Sequence, residues 1–263
     1  MSERPLIGHR MLVTRAKEQA YVLSNAIKMA GGVPIEVPLI AFRAVNEQLL
    51  KKEMKRLYEY DWLIFTSANG VRYTLQSYAE HIKQFRDHFQ IAVVGEKTAE
   101  ALLTYGLMAD LLPSEYVAED LLDTLHSKLK PTDKVLVARG QLGRATLIKG
   151  MVRKGIEVKE IVVYETYCPT NHLEFKCAMQ LDPTFLIFTS SSTVRHFVQL
   201  CSDIGIELSS ISSKIACIGP IAKKSAMQSG LKVDVMPRVY TIEALVEEII
   251  TYLEEEKRNG STI

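Results

Sequence analysis

Six short segments combine hydroxyl-bearing residues, glycine or arginine in a pattern suited to binding anions. Each follows a run of apolar residues, and a stretch with helical periodicity comes next. Backbone N–H groups at the start of a helix are unpaired and carry partial positive charge, so such segments can bind carboxylates. The same residues also serve as helix N-caps, which is a purely structural role. The segments comprise residues 14–15, 66–69, 95–98, 139–140, 189–192 and 219–222.

These segments supply the candidate binding residues of the chain. Because in open parallel sheets ligands bind outside the carboxyl ends of the strands, segments in this position are expected to share one edge of a sheet. For each residue, capping and ligand binding both remain open. The candidates are Arg15, Thr66, Ser67, Ala68, Gly95, Thr98, Arg139, Thr189, Ser190, Ser191, Gly219, Ile221 and Ala222.

Arg15 and Arg139 are the two cations among these candidates, and they follow equivalent apolar runs. The planar guanidinium group matches the geometry of a carboxylate. Either arginine could therefore bind a carboxylate of a ligand, and either could instead form an ion pair within its own domain.

Several familiar kinds of catalytic site find no support. The chain has no GxGxxG after a strand, no GxxxxGK[ST], no HExxH and no GxSxG. The candidate segments contain no histidine, and the four cysteines show no CxxC spacing, so neither a Ser/His/Asp arrangement nor a zinc site is predicted. An enzyme of this kind would depend mainly on binding and orienting a reactive substrate.

The overall composition favours a cytosolic globular protein with reduced thiols. Of the 263 residues, 47% are hydrophobic and 24% charged, and the net charge is +1, which gives no support for nucleic acid or a membrane surface as partner. The amino-terminal segment lacks the apolar region of a signal peptide, and no apolar run is long enough to span a membrane.

The elements that position the candidate segments belong to an internal duplication. The seventeen residues WLIFTSANGVRYTLQSY, beginning at Trp62, share eight identities with FLIFTSSSTVRHFVQLC, beginning at Phe185, at an offset of 123. MLVTR, beginning at Met11, matches VLVAR, beginning at Val135, at an offset of 124. A third pair, from Ile91 and from Ile215, also agrees at 124. The chain therefore consists of one unit of about 124 residues present twice.

Each copy predicts an α/β fold with parallel sheets. Short β-branched runs such as WLIFT lead through small residues into helical patterns, which is typical of buried parallel strands alternating with helices. Glycines at positions 31, 106, 155 and 230 suit the carboxyl ends of helices.

The domain boundary stays open on these observations alone. One division separates the copies near Lys130 and Pro131. However, each copy contains an extended stretch after its first helix, VPIEVPLIAFRAV from Val33 and VKEIVVYETYCP from Val158. Two such stretches could pair as a connector, and the first strand and helix would then join the second half of the chain.

In the order and spacing of its motifs, the chain resembles the uroporphyrinogen-III synthase family. The resemblance runs from about residue 11 to residue 250, and no single motif in it is strongly diagnostic. The motifs are VTR, FTSANGV, VGEKTAEAL, LPSEYVAEDLL, VYETY, IFTSSST and IGP.

The resemblance implies two similar α/β domains, each a parallel sheet flanked by helices, joined by a two-stranded β connector. Residues 1–37 and 169–263 would form the first domain and residues 43–163 the second. Residues 38–42 and 164–168 would form the connector. The implied protein is a cytoplasmic monomer.

The implied activity is the cyclisation of hydroxymethylbilane, a linear tetrapyrrole with eight carboxylates that would lie in a cleft between the domains. The substrate loses its hydroxyl as water, ring D is inverted through a spiro intermediate, and uroporphyrinogen III is formed. No metal or organic cofactor is implied.

Individual residues can be carried over from the family. Tyr164 in VVYETY matches its interdomain tyrosine, which implies a general acid that assists departure of the hydroxyl, although a packing role remains open. Thr98 and Thr189 match hydroxylic positions near the substrate. The chain departs from the family at Ile221 and Ala222, where members often carry threonine, so only backbone contacts are expected there.

Two alternatives to a functional synthase stay open. One is a small-molecule-binding protein with two lobes, because the fold alone does not determine function. The other is a synthase-like protein that binds a tetrapyrrole without turnover, for which the departure at Ile221 and Ala222 is the sole hint.

Overall fold

The computed structural model describes residues 4–113, 121–122, 124–125, 127–143 and 146–260. The chain divides into two compact units, which we call unit 1 (Met1–Ala41 with Tyr167–Ile263) and unit 2 (Phe42–Thr166). Residues 114–120 of the motif LPSEYVAEDLL lie outside the described part.

Unit 1 contains a four-stranded sheet in the order β2-β1-β8-β9, in which every pair of neighbours is parallel. The first strand of the chain thus lies in one sheet with strands from its last third. The strands are β1 (Arg10–Val13), β2 (Val33–Glu36), β8 (Phe185–Phe188) and β9 (Lys214–Cys217). The helices are α1 (Lys17–Met29), α6 (His172–Gln180), α7 (Ser191–Asp203), α8 (Pro220–Gln228) and α9 (Ile242–Gly260), with a 3₁₀ turn at Leu208–Ser210.

Unit 2 contains a five-stranded sheet in the order β3-β7-β6-β4-β5. β4 pairs in parallel with β5 and β6, and β6 pairs in parallel with β7. The strands are β3 (Ala41–Ala44), β4 (Trp62–Phe65), β5 (Gln90–Val93), β6 (Lys134–Gly140) and β7 (Glu157–Tyr167). The helices are α2 (Glu47–Met54), α3 (Ala68–Gln84), α4 (Glu96–Leu103) and α5 (Thr146–Arg153), with 3₁₀ turns at Leu57–Glu59 and Arg86–His88.

The strands β4 and β8 are buried on both faces of their sheets, which explains why they are continuous apolar runs. In β8, Leu186 and Phe188 pack into one core while Phe185 and Ile187 pack into another on the opposite face. β4 behaves in the same way in unit 2. Because successive side chains of a strand point to opposite faces, a strand with helices on both sides must be apolar throughout.

The duplication extends to the register of the strands. In unit 1 Val13 lies opposite Glu36, and in unit 2 Val137 lies opposite Glu160, the residues expected from the offset of 124. The predicted α/β fold with parallel sheets flanked by helices is confirmed.

The two copies differ after this point of equal register. β2 ends at Glu36, and Pro38 follows, whereas β7 continues beyond Glu160 to Tyr167 and has β3 as a neighbour. Pro38 has no N–H to donate, although the N–H groups of Val37 and Leu39 on either side of it still donate to the carbonyl oxygens of Val13 and Thr14. Parts of the predicted connector lie in β3 and β7, and its role in joining two domains stays a prediction.

Glycines end the helices as predicted. Gly31 and Gly155 follow α1 and α5 with φ angles of +90° and +79°, a left-handed conformation that L side chains rarely adopt. Among the described residues, no helix is long and apolar enough to span a membrane.

Candidate functional site

In unit 2 two of the predicted segments open helices at the carboxyl edge of the sheet. Ser67 is the N-cap of α3, and its Oγ accepts a hydrogen bond from the N–H of Gly70 at 3.0 Å. Gly95 is the N-cap of α4. Thr66 and Ala68, on either side of Ser67, are half-buried. The capping role proposed from sequence is therefore present at Ser67, and the positive end of α3 lies at this edge.

Tyr164 lies near the end of β7, next to this segment. Its Oη is 3.1 Å from the Oγ of Ser67, and either hydroxyl can be the donor. The phenol ring stacks on Tyr73 with 5.4 Å between the ring centroids, and Phe42 meets it edge-on at 5.8 Å. Tyr164 and Ser67, two of the predicted site residues, are therefore in direct contact.

The hydroxyl of Ser67 keeps its donor site and one acceptor site for the contact with Tyr164. A serine hydroxyl has one donor and two acceptor sites, and one acceptor site is occupied by the N–H of Gly70. The hydroxyl hydrogen can then point to the oxygen of Tyr164. In this arrangement the proton of the phenol is free for a third group, which is the geometry that a proton donor requires.

Gly140 leaves the space that the phenol occupies. It pairs with Tyr164 across a register shift between β6 and β7. A Cβ atom at this position would lie 2.4 Å from Cζ and 2.5 Å from Oη of Tyr164. Since carbon atoms do not approach so closely without covalent bonds, a glycine is required for the phenol to lie here.

Arg139 forms an ion pair within unit 2. Its Nε contacts Oε1 of Glu160, and its Nη1 donates to the carbonyl oxygens of Gly140, Gln141 and Gly143 at 2.8, 3.2 and 3.1 Å. Of the two roles left open for this residue, the structure shows the internal ion pair. Arg139 holds the loop that follows Gly140.

Thr98 lies in the first turn of α4 and is only 5% exposed. Its N–H donates to the carbonyl oxygen of Gly95 at 2.9 Å. Little of its side chain is accessible to a ligand, so the predicted substrate contact stays a prediction.

Unit 1 repeats the pattern of helix starts. Ser190 is the N-cap of α7, which begins at Ser191, and its Oγ accepts from the N–H of Thr193 at 3.2 Å. Thr189, the preceding residue, is half-buried. The segment is the equivalent of the one around Ser67, and no phenol contact of Ser190 is found among the described residues.

The segment before α8 is the second helix start of unit 1. Gly219 is the N-cap of α8, and Pro220 occupies the first turn. Ile221 is 75% exposed, while Ala222 is buried against the core. Neither side chain has a hydroxyl, so a ligand at this helix start would contact backbone N–H groups, as expected from the sequence.

Arg15 follows β1 and is the equivalent of Arg139. Its Nη2 donates to Oε1 of Gln19 at 3.3 Å, and it forms no ion pair among the described residues. The structure thus shows no internal ion pair of Arg15 in the part of the chain that it describes, and binding of an anionic ligand by Arg15 stays a prediction.

Sequence reasoning missed Gly140, Tyr73 and Phe42 as neighbours of the candidate phenol. Gly140 had a usable signal, because a glycine at the end of a strand marks a bulge or a close approach of other groups. Tyr73 and Phe42 had none, since their contact with Tyr164 depends on tertiary packing.

Comparison with known proteins gives one consistent family. The family model described as uroporphyrinogen-III synthase HemD matches residues 21–247. A uroporphyrinogen-III synthase of Synechococcus elongatus is 33% identical over 254 residues, covering 94% of the chain and 96% of that protein. A putative uroporphyrinogen-III synthase of Methanocaldococcus jannaschii is 32% identical, covering 93% and 99%.

Solved structures show the same fold. A mutant uroporphyrinogen III synthase of Thermus thermophilus has a TM-score of 0.62 at 14% identity, covering 94% of the chain and 100% of its own. The uroporphyrinogen-III synthetase of Helicobacter pylori has a TM-score of 0.61 at 18% identity, covering 92% and 98%. At these identities the likeness concerns the fold alone.

Proposed function

The chain belongs to the uroporphyrinogen-III synthase family, and from that premise we propose that it converts hydroxymethylbilane into uroporphyrinogen III. The family is the one that the resemblance in the sequence indicated. Its members are cyclising lyases of porphyrin biosynthesis, and the predicted enzyme class is confirmed.

The reaction needs acid assistance at its first step and base assistance later. The bond between the terminal methylene carbon and the hydroxyl oxygen breaks, and the oxygen leaves as water if it receives a proton. Ring D is inverted through the spiro intermediate, and the ring carbon that closes the macrocycle loses its own proton. One proton is thus given and one recovered, and no electrons are exchanged. The chemistry requires no redox cofactor, in keeping with the prediction of a cofactor-free enzyme.

We assign the proton donor to Tyr164, and its 3.1 Å contact with Ser67 is the observation that carries this assignment. The phenol gives its proton to the departing hydroxyl, and the phenolate that results takes a proton back at ring closure. Stacking on Tyr73 and the edge contact with Phe42 hold the ring in place.

Ser67 supports the phenolate. Once Tyr164 has lost its proton, the hydroxyl of Ser67 donates to Oη, while its Oγ accepts from the N–H of Gly70 at the positive end of α3. A hydrogen bond to the charged form stabilises it, and a donor already held in place needs no reorganisation during the reaction. Ser67 is thus a positioning residue for the acid.

The helix starts bind the carboxylates of the substrate. In unit 2 they offer the N–H groups around Thr66, Ala68, Gly95 and Thr98, and in unit 1 those around Thr189, Ser190, Ser191, Gly219, Ile221 and Ala222. A molecule with eight carboxylates suits several such positive ends. The absence of hydroxyls at Ile221 and Ala222 matters little if backbone groups are the donors.

The remaining expectations belong to the same proposal. Residues 1–37 with 169–263 and residues 43–163 act as two domains joined through 38–42 and 164–168, and the enzyme works as a cytoplasmic monomer. The near-neutral charge of the chain supports a small molecule as the partner rather than nucleic acid. Incubation with freshly prepared hydroxymethylbilane tests the function, and we expect the type III isomer as product.

A further inference from the structure

Arg15 and Glu36 in unit 1 are the equivalents of Arg139 and Glu160 in unit 2. Val13 lies opposite Glu36 in one sheet and Val137 lies opposite Glu160 in the other. In both units the arginine lies two residues after this valine, and the glutamate lies opposite the valine on the neighbouring strand. The two pairs nevertheless have different surroundings.

The pair in unit 2 is closed. Nε of Arg139 contacts Oε1 of Glu160, and the arginine side chain is 13% exposed. Its Nη1 is directed at three carbonyl oxygens of the following loop. A guanidinium group in this setting has its charge and its donors satisfied by the protein itself.

The pair in unit 1 is open. Neither Arg15 nor Glu36 forms an ion pair in the part of the chain that the structure describes. The Nε of Arg15 is buried without a hydrogen-bond partner among those residues. Burial lowers the pKa of Arg15, because water is removed from the charge and no neighbouring anion compensates for it. A buried donor left in this state is costly, so an external acceptor would be favoured.

The backbone after the two glutamates differs between the copies. β2 ends at Glu36, whereas β7 of unit 2 continues as a strand to Tyr167. The N–H of Val37 donates to the carbonyl oxygen of Val13 at 3.0 Å, and that of Leu39 donates to the carbonyl oxygen of Thr14 at 3.1 Å. The segment after β2 therefore stays hydrogen-bonded to the end of β1, but it is no longer a regular strand.

A cavity of about 640 Å³ lies beside this segment, and all of its lining residues belong to unit 1. This volume is in the range of small-molecule sites. Arg15 and Glu36 both line it, together with Lys17 and Glu174, whose carboxylate also accepts from the N–H of Asn171 at 3.3 Å. The apolar part of the wall consists of Ala20, Ile35, Val37, Ala178 and Leu181.

We propose that this cavity binds one carboxylate-bearing pyrrole ring, with the carboxylate on Arg15 and the ring N–H on Glu36. The ring and its methylene carbons pack on the apolar wall. The carboxylate of the ligand is then the anion beside Arg15, as Glu160 is beside Arg139 in unit 2. The ring N–H is the donor to Glu36, as Arg139 is to Glu160. The inference rests on the proposed function, because the substrate consists of such rings, although a free monopyrrole acid has the same chemistry.

Binding of a small probe tests the cavity without any turnover. Pyrrole-3-propionate is titrated into the full-length protein and followed by calorimetry, alongside its amide and its N-methyl derivative. We expect the acid to bind, the amide to bind at least about tenfold more weakly, and the N-methyl derivative to be weakened as well. Equal affinities of the acid and the amide would overturn the inference, and this comparison needs no variant to fold.

Substitution of Arg15 tests whether the acid binds in this cavity. Arg15→Gln should weaken the acid at least about tenfold, and Arg15→Lys should weaken it less, since the charge is kept but the planar fork is lost. Arg10→Gln is the matched control, because Arg10 is exposed at the opposite end of the same strand. A similar loss for Arg10→Gln and Arg15→Gln would place the probe elsewhere and contradict the proposal.

The thiol of Cys177 lines the same cavity and reports its occupancy. Saturating pyrrole-3-propionate should slow alkylation of Cys177 several-fold while Cys168, which does not line the cavity, reacts at its former rate. Unchanged alkylation of Cys177 at saturation would contradict the assigned position of the ligand.

Turnover distinguishes the two sources of the ligand and separates this inference from the proposed function. If a ring of the substrate occupies the cavity, the probe should inhibit competitively and Arg15→Gln should raise the KM for hydroxymethylbilane about tenfold. A probe that binds without competing identifies a free monopyrrole acid as the ligand.

If wild-type protein forms the type III isomer but neither binds the probe nor depends on Arg15, the inference fails while the function stands. If no type III isomer forms, the function fails, and the titration still decides whether the cavity binds the acid.

Discussion

The ring of Tyr164 lies against the backbone of Gly140, where a single added methyl carbon would come within 2.4 Å of Cζ. The two residues face each other across a register shift between β6 and β7. The position of the phenol, and with it the contact to Ser67, thus depends on the absence of a side chain on the neighbouring strand. The catalytic assignment of Tyr164 can therefore be tested through a residue that has no side chain of its own.

Gly140→Ala is expected to lower kcat without changing any functional group. The methyl must displace the phenol, and a displacement of about 1 Å at a reacting group can cost on the order of a hundredfold in rate. Overpacking should also lower the free energy of unfolding by about 1–3 kcal/mol. Steady-state kinetics and urea unfolding measure the two effects.

Gly155→Ala is the control for the effect on stability. Gly155 has a φ of +79° and nothing within 4 Å of an added Cβ, so alanine there strains the backbone while leaving Tyr164 in place. It should lose stability and keep its kcat. Equal kcat values for the Gly140→Ala variant and the wild type would contradict the proposed positioning.

Tyr164→Phe is expected to lower kcat by about a hundredfold or more while the fold is kept. Removal of the hydroxyl leaves the aromatic contacts with Tyr73 and Phe42 but takes away the proton donor. Thermal unfolding should change little. An unaltered rate of type III formation would remove the acid role from Tyr164 and leave it a packing residue.

Ser67→Ala is expected to act on both stability and catalysis. Loss of the N-cap should cost about 1 kcal/mol of unfolding free energy, and loss of the bond to the phenolate should lower kcat about tenfold. Ser190→Ala removes the equivalent cap of α7, so it should cost similar stability and affect KM more than kcat. The same loss of kcat in both variants would show that helix capping, rather than the contact with Tyr164, accounts for the effect of Ser67 on kcat.

Alkaline pH is expected to destabilise the protein through two buried thiols. Burial raises the pKa of Cys201 and of Cys217 from the ordinary 9.0 to about 12 in each case. An acid whose pKa is higher in the folded state contributes its stabilisation fully below the unfolded value. That contribution is lost as the pH rises from 9.0 towards 12, so the unfolding free energy should fall across this window.

Urea unfolding at several pH values measures this slope. Cys201→Ala should show a smaller decrease with pH than the wild type, although the lost packing lowers its stability at every pH. Cys177→Ala, at an exposed position, should keep the wild-type slope. Identical slopes for all three proteins would show that the thiols do not titrate with the fold.

Much of the fold could be predicted from the sequence, because the local patterns of apolar residues and glycines agree with the internal duplication. The strands are continuous apolar runs since both faces of each sheet are covered, and left-handed glycines such as Gly31 end the helices. The equal offsets between copies anticipated the equal registers at Val13 and Val137.

The departures from the duplication were harder to predict. Arg15 and Arg139 occupy equivalent positions in the duplication, yet Arg15 forms no ion pair among the described residues and Arg139 pairs with Glu160. The copies also differ in the chain after the glutamate, since β2 ends at Glu36 whereas β7 continues beyond Glu160 to Tyr167. The contact of Gly140 with Tyr164 depends on a register shift, which a glycine at the end of a strand can signal although it does not identify the partner side chain.

The isomer composition of the product tests the central claim most directly. Purified protein is mixed with freshly prepared hydroxymethylbilane, the products are oxidised to porphyrins, and the type I and type III isomers are separated by chromatography, with heat-denatured protein as the control. We expect the native protein to give mainly the type III isomer and the denatured protein to give only type I, which forms spontaneously. Type I alone from folded protein would contradict the proposed activity.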